Sequence, residues 1–150
     1  MGNQTLDEGA NGEQASFEIV AYPAKDLPKD YESFVYAKWL RSLKHGNDYF
    51  KLVDSDPFFA AYKVYIKALL SRPMCVLRFA CLKDDPDTLL GWSLMERTTL
   101  HYVFVQYEFR NTGIAKALVP GTIDTITHLT KSGMSIWHNK LPSARFNPFA

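Results

Sequence analysis

The sequence predicts an α/β (α+β) domain in which a central, mostly antiparallel sheet is flanked by helices. Three observations lead there. Two segments with apolar residues at three- and four-residue spacing come first, and three β-rich segments separated by short polar turns follow. The last of these runs through an Arg-x-x-Gly-x-Ala turn into a further helical pattern. A chain of 150 residues suits one domain and buries roughly two-thirds of its unfolded surface.

Residues Met1 to Ala15 are rich in Gly, Asn, Gln and Glu, so a flexible leader is expected at 1–15 and a single domain over 16–150. Phe17 to Tyr22 is the first strand, stopped by Pro23, which has no amide to give to a ladder. Between Asp30 and Leu43 the positions Tyr31, Phe34, Val35, Trp39, Leu40 and Leu43 make an amphipathic helix, with Asp30 as cap and Gly46 as stop. A second helix starts at Asp56 or Pro57 and runs to Leu70, where Arg72-Pro73 ends it.

The period then changes. Residues 74–82 form a strand, Lys83 to Asp87 a polar turn, Leu89 to Glu96 the return strand of a hairpin, and Thr98 to Val105 a third strand. Strict alternation places Thr99, His101, Val103 and Val105 on one face of that strand, and Leu100, Tyr102 and Phe104 on the other. Ile114 to Val119 is helical until Pro120-Gly121; a short helix over 122–129 and a last strand over 134–138 are expected before an irregular tail.

Composition narrows the function. With 47% hydrophobic and 22% charged residues the chain is neither disordered nor a membrane protein, and a net charge of +1 gives little long-range pull toward nucleic acid or anionic lipid. No apolar run reaches about 18 residues and no secretion signal opens the chain, so a cytoplasmic location with no membrane partner is expected. Cys75 and Cys81 share a strand face and are expected as buried free thiols. No metal is expected, because the four histidines have no ligand spacing with them. Lys140 and Arg145 with Phe146 and Phe149 suggest nucleic-acid stacking only weakly; docking of this tail on its own domain or on a second copy, hence a possible homo-oligomer, is favoured.

The junction Arg110-Asn111-Thr112-Gly113-Ile114-Ala115 carries the chemistry. Gly113 admits a close approach to the backbone, the amides of the helix start point outward, small Ala115 keeps the first turn open, and Arg110 adds charge. A pyrophosphate fits such a turn. It is neither a Walker A loop nor a Gly-x-Gly-x-x-Gly loop.

Arg110, Gly113 and Ala115 resemble the coenzyme-binding motif of the GCN5-related N-acetyltransferase superfamily, and the element order over 16–138 resembles that superfamily too. The resemblance implies an acyl-CoA N-acyltransferase-like mixed sheet, acetyl-coenzyme A as cofactor, and acetyl transfer to the primary amine of a small-molecule or protein acceptor. It places pantetheine between a splayed fourth and fifth strand, with main-chain contacts from Val103 and Val105 and the pyrophosphate held by Arg110, Asn111, Thr112, Gly113, Ile114 and Ala115.

His101 is the first candidate for a base, because it shares a predicted face with Val103 and Val105 and titrates near neutrality. Glu96 is the second. A structural histidine and a solvated carboxylate are the competing readings. The tyrosine that many such enzymes use as the acid has no counterpart, since no tyrosine follows Tyr107, and a shortened carboxyl end is expected. The aromatics of the first two helices serve either an acceptor pocket or the core, and Asp54 or Asp56 could attract a cationic amine. A noncatalytic interaction or structural protein with the same fold is the alternative function.

Overall fold

The computed structural model describes residues 16–150, so the leader expected at 1–15 lies outside the described residues. The elements run β1 (Phe17–Pro23), α1 (Lys29–Gly46), α2 (Ser55–Leu70), β2 (Cys75–Leu82), β3 (Leu89–Glu96), β4 (Thr99–Val105), α3 (Ile114–Leu118), β5 (Thr125–Ile126), α4 (Lys131–Lys140) and β6 (Arg145–Phe146). One six-stranded sheet follows chain order, with β1 to β4 antiparallel and β4, β5 and β6 parallel.

Helices α1 and α2 cover one face. In α1 the residues Val35, Trp39 and Leu43 recur every four positions and are essentially unexposed. They meet Ile66 and Leu69 of α2 and Leu77, Phe79, Trp92 and Leu94 of the sheet. Each such side chain contributes about 1.5–3 kcal/mol of burial. Helix α1 opens from Pro28 and carries Asp30 and Glu32 in its first turn, so Asp30 complements the helix dipole without capping it. Likewise α2 opens after Asp54, which makes no side-chain cap, and Pro57 sits in a first turn whose amides need no intrahelical partner.

The opposite face is divided. Ile114 and Leu118 of α3 pack on Ala80, Leu90 and Val105, while Met95, Leu100, Ile123, Ile126 and Ala144 form a separate cluster flanked by Trp137 and Leu141. Cys75 and Cys81 are buried and free, as expected.

Two elements differ from the sequence expectation. Residues 122–129 are extended and contain β5, because Ile123 and Ile126 are buried beside Leu100 rather than on a helix face. Residues 134–138 belong to α4, which the Thr130 side chain caps by accepting from the Gly133 amide at 3.0 Å. The chain therefore does have a helix after its fifth strand, and that helix contains no tyrosine. Among the described residues no helix is long and apolar enough to cross a membrane.

Candidate functional site

Strand β4 changes course at His101. The register steps from Leu94 opposite Tyr102 to Met95 opposite Leu100, which leaves His101 as the extra residue of a bulge. Alternation is broken there, and His101 does not share a face with Val103 and Val105 as expected. It lies within 4.8 Å of Cys75 and Glu96 on the α1/α2 face, whereas Val103 and Val105 face α3.

The same bulge parts β4 from β5. Only Thr99 and Leu100 pair with β5, after which Thr127 donates its amide to the Leu100 carbonyl at 3.2 Å. The His101 carbonyl then lies 3.3 Å from Thr127 Oγ1 and takes the His128 Nδ1–H at 3.1 Å. Beyond that point, among the described residues, β4 has no strand on its β5 side. The resulting cleft, about 30 Å³, is lined by Val103, Ile126, His128, Leu129, Trp137 and Leu141 among others.

A larger pocket of about 370 Å³ opens beside it, walled by Asn47, Phe50, Tyr62, Tyr65, His128 and Phe146. Its full lining has no Asp, Glu, Lys or Arg, so Asp54 and Asp56 are not brought to it. Tyr62 and Tyr65 reach the pocket, while Trp39 and Phe58 are core, so the helix aromatics divide between the two roles. The tail contributes Phe146 and Pro148 to the pocket, and Phe149 stands 93% exposed.

His128 and Leu129 line both spaces. Sequence reasoning missed His128. A lone histidine after a threonine in a segment read as helix gave no signal, and only the parting of β4 and β5 puts it between two cavities.

A chain of hydrogen bonds runs from His128 through the sheet. His128 Nδ1 is 2.8 Å from Thr127 Oγ1, Thr127 Oγ1 is 3.0 Å from His101 Nδ1, and His101 Nε2 is 3.0 Å from Glu96 Oε1. Arg72 donates to the same carboxylate oxygen at 2.8 Å. The hydrogen bond from His101 and the Arg72 charge hold Glu96 below its usual range. Burial pushes His101 down against the opposing pull of Glu96. Burial, and then the neighbouring His101, push His128 down to about 4.

Cys75, Glu96 and His101 are the group among the described residues whose donor atoms could converge on a metal ion. Their donors are otherwise engaged. Glu96 and both nitrogens of His101 are hydrogen-bonded, Arg72 adds a positive charge, and burial pushes the Cys75 thiol up to about 11, keeping it protonated.

These shifts fix an acid response. A histidine whose folded value lies below its unfolded 6.5 leaves the unfolded chain holding more protons between pH 6.5 and about 4, so stability falls as pH falls through that window. His128 alone costs roughly 2 kcal/mol by pH 5. Glu96 adds a further loss only as pH drops below the ordinary carboxylate value toward its lowered one. Thermal melts from pH 7 to pH 5 should show a drop of several degrees that His128→Gln largely removes. An equal drop in the variant would exclude His128 as its source.

At the far end of β4 the junction folds as an exposed turn. Asn111 has φ 64° and Gly113 φ 86°, and an added Cβ at Gly113 would meet nothing within 4 Å. Gly113 is the N-cap of α3, which has no acidic residue in its first turn. The amides of Ile114, Ala115 and Lys116 thus start the helix without intrahelical partners, next to an exposed glycine. Arg110 Nε donates to the Val105 carbonyl at 3.1 Å and its guanidinium lies over the Tyr107 ring. Of the residues expected to hold the coenzyme, Val103 borders the cleft, the Val105 carbonyl is engaged by Arg110, Arg110 to Gly113 form the turn, and Ile114 and Ala115 begin α3.

No protein-family model matches the sequence, and no curated protein matches it. Solved structures do. A Pyrococcus furiosus protein provisionally described as an acetyl transferase superposes with a TM-score of 0.52 at 14% identity, covering 87% of this chain and 80% of the other. A ribosomal-protein-alanine N-acetyltransferase from Brucella melitensis biovar Abortus 2308 gives a TM-score of 0.49 at 16% identity over 83% and 88%. AAC(6')-Iy, solved with the bisubstrate analog CoA-S-monomethyl-acetylneamine, gives 0.41 at 14% identity over 87% and 77%. The chain has the fold of the GCN5-related N-acetyltransferases, an acyl-CoA N-acyltransferase-like mixed sheet with flanking helices.

Proposed function

We propose that the protein transfers an acetyl group from acetyl-coenzyme A to a primary amine of a small-molecule or protein acceptor. One observation carries this reading: a strand that parts from its neighbour at a bulge leads, through the turn at residues 106–113, into a glycine-led helix start with open amides. A thioester arm needs the strand edge and its pyrophosphate needs the amides, in that order. The pyrophosphate sits on the turn from Arg110 to Ala115, pantetheine runs past Val103, and the acceptor enters from the aromatic pocket. His101 and Glu96 support the reaction from behind the sheet.

The cleft has room for about one water, so coenzyme entry moves the Trp137 and Leu141 side of it. Trp137 is held by a hydrogen bond from Nε1 to the Ala144 carbonyl at 2.8 Å, whereas Trp39 and Trp92 are unexposed. Acetyl-coenzyme A should therefore change the tryptophan emission, and Trp137→Phe should abolish most of that change. Calorimetry with acetyl-coenzyme A and with free coenzyme A tests the binding itself. Absence of heat and of any thermal shift with both would refute the proposal, and binding without acetyl consumption across a panel of amines would refute transfer.

A further inference from the structure

We propose that Glu96, His101, Thr127 and His128 form a proton relay in which His128 Nε2 receives the proton of the attacking amine. The inference rests on the acyl-transfer reading for its substrate, but the relay itself is set by hydrogen-bond logic.

Glu96 fixes the direction. Its carboxylate, paired with Arg72 at 2.8 Å, is ionised and can only accept, so His101 Nε2 must carry a hydrogen and donate to it. A neutral His101 then has a bare Nδ1, which must accept from the Thr127 hydroxyl. With its hydrogen so directed, Thr127 Oγ1 accepts from His128 Nδ1. A second, independent contact gives the same answer: the His101 carbonyl, 3.1 Å from His128 Nδ1, can only accept. Both routes leave the lone pair of His128 on Nε2, which has no hydrogen bond among the described residues.

The placement suits a base. His128 lines the cleft and the aromatic pocket together, at the boundary where a thioester and an amine would meet. The groups around it are Trp39, Tyr62, Tyr65 and Tyr102 from α1, α2 and β4, and none of these carries a charge at neutral pH. Burial keeps His128 neutral over the physiological range, so its lone pair is always present. Glu96, partly exposed at the other end, returns that proton to solvent.

In the reaction the amine nitrogen bonds to the thioester carbonyl carbon and loses one proton to His128 Nε2. Nδ1–H passes to Thr127, the Thr127 hydroxyl hydrogen to His101 Nδ1, and the His101 Nε2 hydrogen to Glu96. The carbon–sulfur bond breaks, and the thiolate takes a proton from water. Here His128 is the catalytic residue, and Thr127, His101 and Glu96 are positioning residues.

Long-range nitrogen–proton spectra of protein labelled with 15N-histidine provide a test that needs no turnover. At pH 7 the expected tautomers are Nε2–H for His101 and Nδ1–H for His128; an Nε2–H His128 overturns the relay. With 2-phenylethylamine and acetyl-coenzyme A as probes, Thr127→Val should lower kcat at least about tenfold with little change in KM, and Thr127→Ser should restore most of it. Full kcat in Thr127→Val overturns the proposal. If the wild-type protein consumes no acetyl-coenzyme A with any amine while both tautomers are as stated, the ordered hydrogen-bond chain stands, and the acyl-transfer reading and the amine's part in the relay fall.

Discussion

Gly91→Ala is expected to destabilise the domain by about 3 kcal/mol or more, enough to unfold much of it at 37 °C. A methyl group at this position would lie 2.5 Å from the Phe104 carbonyl oxygen and 3.1 Å from the Val105 Cα. Both are backbone atoms of the adjacent strand, so no side chain can swing aside. The sheet must open between β3 and β4, or β3 must shift its register against Ala80 and Val105 at once. Urea titration of the purified variant measures this. A loss under about 1 kcal/mol would mean that the two strands separate more easily than their spacing implies.

Gly113→Val should do the reverse, sparing the fold and removing the coenzyme. There is open space around the added side chain, so its cost is the backbone conformation, about 1–2 kcal/mol for a residue with φ 86°. To relieve that strain the turn must rotate, and the amides of Ile114 and Ala115 rotate with it. The affinity for acetyl-coenzyme A is expected to fall at least about tenfold by calorimetry, with the melting temperature lowered by only a few degrees. Unchanged affinity would place the coenzyme away from this turn.

The contrast between these two glycines bears on what could be read from the chain. Helices α1 and α2 and the three strands β2, β3 and β4 were legible because each buries a periodic face: Val35, Trp39 and Leu43 in one case, Leu77 and Phe79 in another. The turn from Arg110 to Gly113 was legible for a different reason, since an Arg-x-x-Gly-x-Ala sequence constrains the backbone locally. What escaped depends on contacts between distant segments. The bulge at His101 obeys no local pattern, yet it turns that imidazole to the opposite face from Val103. Strands β5 and β6 have two residues each and exist only because Thr98, Leu100, Asp124 and Ile126 offer carbonyls to them. Residues 134–138 alternate like a strand, and their helix depends on the Thr130 cap and on Trp137 reaching Ala144. His128 acquires its place between the two spaces from all of these together.

The two spaces beside β5 have a common wall in His128 and Leu129. Any molecule that shifts this wall from one side reshapes the other compartment. Occupancies on the two sides are therefore thermodynamically linked, and the factor by which the first guest strengthens or weakens the second is returned to it in equal measure.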